Sequence, residues 1–176
     1  MSFKADIQAT RSTLTTIFSG LDGAINASAT TIVVDSAAAF PASGIVQIGS
    51  EVISYAAKTS TDLTGCVRGI NGTTAASHSS GTVFVLQNVI APPVRLRAIS
   101  IASDGGGAGY VELVSNDGIR LFFGDVPTGD VYTLNLPEDG ILFPKGVYLK
   151  QQSNTTAFTL FTDKYSSKGL TTVQNG

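Results

Sequence analysis

The chain has 176 residues, 43% of them apolar and only 14% charged, with a net charge of -2. That length suits one large domain or two small ones, and the supply of Val, Ile, Leu and Phe excludes an intrinsically disordered chain. Its 11 basic residues form no run, which argues against phosphate-driven nucleic-acid binding, and no stretch approaches the ~18 consecutive apolar residues of a membrane-spanning helix.

Residues 1–19 stand apart from the rest. Phe3, Ile7, Leu14 and Phe18 recur at spacings of four, seven and four, which suits one face of a helix. Thr13, Thr15 and Thr16 are β-branched and weaken that helix. The segment is therefore expected as either a short amphipathic helix or an extended arm, ordered against a partner. MSFKADIQATRSTL has no apolar run of signal-peptide type, so the product is expected to stay in a cytoplasm-like compartment until assembly.

From Ala29 the pattern turns to strands. TTIVVDS ends at Phe40-Pro41, and GIVQIGSEVISYAAK places Gly49-Ser50 between two apolar runs, as in a two-residue hairpin. LTGCVRGINGTTAASHSSGTVFVL follows, with a turn at Asn71-Gly72 and a small-residue loop from Ala75 to Gly81. NVIAPP reads as a linker, since Pro92-Pro93 cannot donate to a ladder. In VRLRAISIA, alternation puts Val94, Leu96, Ala98 and Ser100 on one face and Arg95, Arg97, Ile99 and Ile101 on the other. Further short strands, GYVELV, IRLFFG, VYTLNL, GILFPKGVYLK and TAFTLF, are separated by turn residues. The expected fold is all-β: an N-terminal arm or short helix (1–19), a small β module (20–88), a linker (89–93), an antiparallel β-sandwich or jelly-roll-like domain (94–165) and a tail (166–176).

Candidate chemistry is sparse. DGGGAG lacks the following helix and the Lys-Ser/Thr ending of a phosphate loop, and reads as a flexible hairpin loop. His78 is the only histidine and Cys66 the only cysteine, too few for the usual metal-ligand set. His78 therefore reads as a loop residue without a special role, and Cys66 as a small buried hydrophobe that can form no internal disulfide. Asp104, Glu112, Asp117, Asp125, Asp130, Glu138 and Asp139 are scattered and mostly fall in turns, where Asp is explained by turn chemistry. No Gly-x-Ser-x-Gly elbow is present. There is no Trp and the Tyr are dispersed, a weak signal for glycan binding. Asn26, Asn71 and Asn154 open N-x-S/T triplets, which follow from the Thr-rich composition. No catalytic, cofactor-binding or metal-binding residue is assigned, and no enzyme activity is expected.

Residues 30–86 carry a resemblance. The strand TTIVVDS, then F-P-x-x-G, an I-G-x-E-x-I-x-Y-like hairpin, L-T-G-C-x-R-G-x-x-G-T and a His-containing loop together resemble a module of tailed-bacteriophage virion proteins. LPEDGILFPKGVYLK, more loosely, is similar to small structural proteins of phages of marine bacteria and cyanobacteria. The resemblance implies a non-enzymatic virion part assembled in the host cytoplasm. Its most compact form is a head decoration or cement protein bound to major capsid protein; a tail, neck or baseplate adaptor is the alternative. The implied partners are other virion proteins and further copies of the chain, with a trimer expected, and neither nucleic acid nor membrane. Phe3, Ile7, Leu14 and Phe18 are the expected partner-docking residues, used without a cofactor.

Overall fold

The computed structural model describes residues 7–136 and 140–163. Among these residues sixteen strands run in chain order: β1 (Ile7–Ser12), β2 (Phe18–Gly20), β3 (Thr31–Val33), β4 (Gly44–Ile48), β5 (Glu51–Tyr55), β6 (Ala57–Lys58), β7 (Asp62–Thr64), β8 (Thr82–Val85), β9 (Gln87–Ile90), β10 (Val94–Ser103), β11 (Gly109–Val114), β12 (Arg120–Val126), β13 (Val131–Asn135), β14 (Ile141–Phe143), β15 (Val147–Ser153) and β16 (Thr155–Asp163). All the pairings are antiparallel, and the only helical turn among the described residues is a 3-10 turn at Ile70–Gly72. The protein is all-β and sandwich-like, as its turn-punctuated short strands imply.

The N-terminal unit has a sheet ordered β2-β8-β4-β5 and a smaller one ordered β3-β7-β6. Val46, Ile48, Ile53, Val83 and Val85 point from the first sheet into a core shared with Ile32, Leu63 and Phe40. The hairpin at Gly49-Ser50 pairs Ile48 with Glu51, and Gly49 takes the positive φ of 57° that the turn needs.

The C-terminal unit stacks two sheets. One is ordered β1-β16-β10-β13, with β14 also on β10; the other is β12-β11-β15-β9. Leu96, Ile99, Ile101, Val111, Leu113, Leu149, Phe158 and Leu160 fill the space between them. β10 departs from simple alternation. Leu96 pairs with Thr162 but Ala98 pairs with Phe161, so Arg97 is an extra, bulged residue. The bulge shifts the side-chain phase, and Val94, Leu96, Ile99 and Ile101 all enter one core. Ile99 and Ile101 are therefore not on a second covered face with Arg95 and Arg97, as strict alternation implied.

Three further expectations are corrected. Residues 7–12 are neither a helix nor a free arm: β1 pairs along its whole length with β16, from Ile7–Asp163 to Ser12–Phe158. The expected linker is shorter than 89–93: Val89 and Ile90 belong to β9, which pairs with β15, and only residues 91–93, with Pro92-Pro93, lie outside the strands. DGGGAG is not a hairpin loop; it carries the chain from β10 in one sheet to β11 in the other. Phe3, Glu138, Asp139 and the tail from residue 166 lie outside the described residues.

The two units touch through their outward sheet faces. Val52 and Leu86 of the first meet Val114 of the second in a small apolar cluster joined by Ile45, Ile70 and Tyr148. Gln47 Nε2 donates to Gly118 O at 3.2 Å and Asn71 Nδ2 to Asn116 O at 2.6 Å across the same junction.

Candidate functional site

Two places gather functional side chains: a buried carboxylate network in the N-terminal unit and a groove at the junction. The network centres on Glu51, only 1% exposed at the start of β5. Arg68 grips it in a fork, with Nε 2.8 Å from Oε1 and Nη2 2.8 Å from Oε2. The amides of Gly69 and Ala76 each donate at 3.1 Å, and His78 Nε2 lies 2.8 Å from Oε2. Backbone geometry sets these donors. Gly69, at φ 61°, turns its N–H toward the carboxylate, and a Cβ there would lie 2.7 Å from the Ala75 nitrogen. His78 is fixed by reciprocal backbone bonds to Ile25. Since Oε2 can only accept, Nε2 of His78 carries a proton. His78 thus has a definite structural role, contrary to the expectation of an idle loop residue.

Burial works to raise the Glu51 carboxyl, but the bonds from Arg68, His78 and the Ala76 amide, with the Arg68 charge, outweigh it and hold the group below its ordinary 4.5. Asp117 follows the same pattern in the C-terminal unit. Burial pushes it up, and Lys145, Ser115 and the Ile119 amide draw it below 3.8. A carboxyl with a lowered native pKa contributes its full stability above the unfolded value and loses it as pH falls through the native one. The urea midpoint should therefore fall as pH drops below about 4, and fall less in Glu51→Gln, which has no such charge to lose. Midpoints of the two proteins that track each other through the acid range would contradict the assignment.

Cys66 is buried as expected, its thiol 3.3 Å from Leu63 O, and burial pushes its pKa up. Among the described residues no group of three or more His, Cys, Asp and Glu is placed to hold a metal ion.

The expected docking residues do not form one surface. Ile7 lines a groove with Ala98, Leu136 and Phe161 on the β1-β16-β10-β13 sheet. Leu14 is half-buried and packs against the sandwich core. Phe18 is 60% exposed and lies instead at the junction of the two units.

Sequence reasoning missed that junction groove. Phe18 sits opposite Phe84 across the β2–β8 pair, so both rings leave the sheet on the face away from the N-terminal core, 6.0 Å apart. On the facing sheet Tyr110 and Glu112 share the outward face of β11, and Phe123 lies opposite Glu112. Tyr110 stacks on Phe123 at 5.7 Å and 23°, with the Arg120 guanidinium 5.2 Å from the Phe123 ring. Lys150 Nζ is 5.3 Å from the Phe84 ring. Glu112, 2% exposed, is held by Arg120 at 2.9 Å, Gln151 at 2.6 Å and Lys150 at 3.6 Å. Register was the missing signal: these aromatics are far apart in sequence and meet only once both sheets are paired.

Comparison with known proteins finds no matching family model, no matching curated protein and no matching solved structure.

Proposed function

We propose that this chain is a structural component of a tailed-phage virion, a head decoration or cement protein that binds major capsid protein and stabilises the shell. It acts as a homo-oligomer, with a trimer as the closed form, through binding energy alone and without a cofactor. It assembles in the host cytoplasm and remains in the virion.

The observation that carries this reading is the saturation of Glu51. The polar residues of the virion-like motif, Glu51, Arg68 and His78, bond one another, and five donors occupy the two carboxylate oxygens. A carboxylate offers about four lone-pair sites, so none is left for proton transfer or nucleophilic attack. The motif is spent on rigidity, which suits a part that transmits load rather than turns over a substrate. Exposed Ile119, Ile141 and Leu142 line an apolar groove in the C-terminal unit, a surface that gains from being covered in an assembly.

The test is the copy number of the chain in purified particles, by quantitative mass spectrometry against major capsid protein. The expected ratio is near or above one copy per several capsid subunits. A few to a few dozen copies per particle would move the protein to the neck, tail or baseplate, and its absence from particles would overturn the virion role.

A further inference from the structure

The junction groove continues past the apolar cluster that joins the units. There the two outward sheet faces stand apart and enclose an open pocket of about 350 Å3. That is at the small end of the ~300–1,000 Å3 typical of ligand pockets. Its walls combine ring faces with fixed polar groups. Phe18 and Phe84 come from one unit, and Tyr110 with the Gln151–Ser153 segment from the other. The rings are held from behind: Phe123 backs Tyr110, and Phe18 and Phe84 support each other.

The polar groups are equally fixed. Thr16 Oγ1 donates to Gln152 O at 2.7 Å and accepts from Gln152 N at 2.6 Å, which ties the segment before β2 to β15. Gln151 gives its amide N–H to Glu112 at 2.6 Å, leaving its carbonyl oxygen as an acceptor. The hydroxyls of Tyr110, Thr82 and Ser153 have no side-chain hydrogen bond among the described residues.

None of the pocket-lining residues carries a charge. An anion would find no cation in the wall, and Lys150 and Arg120 are already engaged with Glu112. A purely apolar ligand would leave the hydroxyls and the amide oxygen desolvated and unpaired, which is costly. The walls match a neutral molecule with one apolar C–H face and a rim of hydroxyls. The positive C–H edge of such a ring meets the negative face of an aromatic, while the hydroxyls bond the amide oxygen and the free hydroxyls. We infer that the groove between the two units is a binding site for a neutral oligosaccharide. Such a site would add weak adhesion to a protein repeated many times on one particle, where avidity multiplies a small affinity.

The experiment uses the full chain and a panel of neutral hexasaccharides of glucose, galactose, mannose and N-acetylglucosamine, followed by NMR. At least one saccharide should shift the aromatic signals of Phe18, Phe84 and Tyr110 at millimolar concentration. Phe18→Ala and Tyr110→Ala should each weaken that binding about threefold to tenfold, the factor one aromatic contact supplies. Tyr132→Ala, on β13, should bind as the unchanged protein does. Dispersion of the remaining amide signals establishes that each variant is folded. Should Phe18→Ala alone lose the fold, Tyr110→Ala still decides the outcome. No shift with any saccharide, or shifts confined to residues outside the groove, would each overturn the proposal.

Discussion

Replacing Glu51 by alanine is expected to lower the unfolding free energy of the N-terminal unit by about 3–5 kcal/mol, the cost of stranding a buried charge. Arg68 has a side chain only 6% exposed and would lose its carboxylate partner. The Gly69 and Ala76 amides and His78 would lose their acceptor as well. Small domains have only about 5–15 kcal/mol of stability, so the unit would be left close to unfolding. Glu51→Gln should rescue little. It keeps the shape, but its NH2 group would face donors where an oxygen now accepts. Glu51→Leu with Arg68→Met should recover part of the loss, because it removes both charges, but not all of it, because the two backbone amides remain unsatisfied. Urea unfolding of the unchanged protein, Glu51→Leu, Arg68→Met and the double variant, read as a double-mutant cycle, measures the coupling. A loss below about 1 kcal/mol in Glu51→Ala would mean that water replaces the carboxylate and that the network does not hold the unit together.

How far the sequence reveals this molecule depends on which physical rule is in play. Strand content follows from local residue choice, so the all-β class and the Gly49-Ser50 hairpin can be read directly. The bulge at Arg97 cannot, because alternation does not tell which residue of a strand is extra; VRLRAISIA fits two faces on paper and one core in space. β1 was hidden for a similar reason. β1 is almost wholly exposed, with only Ser12 buried, and its composition is mostly polar, so IQATRS carries no clear buried face to compete with the helical spacing of the neighbouring apolar residues. The Glu51 network was half visible. An acidic residue inside an apolar hairpin, and an arginine between glycines, are each anomalies; what was missing was that Gly69 and His78 bring their donors to one carboxylate. The junction groove is the least legible feature, because it depends on the register of two separate sheets and on how the units meet.

The pairing of β1 reverses an expectation about the N-terminus. If residues 1–19 were a free arm, its deletion would abolish particle binding and spare the fold. With β1 laid along β16 and Leu14 packed on the sandwich core, deletion of residues 1–14 should instead lower the stability of the C-terminal unit by about 2–4 kcal/mol. The ladder itself contributes little to that figure. Each hydrogen bond yields about 0.5–1.5 kcal/mol net, while ordering each residue costs about 1–2 kcal/mol. What remains is the partial burial of Leu14, which full burial would bring to about 1.5–3 kcal/mol, and the cover given to one side of β16. Deletion also exposes β16, which carries Phe158 and Leu160, as an open sheet edge and should promote association between copies. Ile7→Ser separates the two roles. Ile7 is 57% exposed, so its replacement should leave stability within about 0.5 kcal/mol. A deletion that leaves the urea midpoint unchanged would return residues 7–14 to the role of a free arm. A destabilised deletion beside a stable Ile7→Ser would show that β1 is part of the fold, and a proposed shell contact would then have to be made elsewhere.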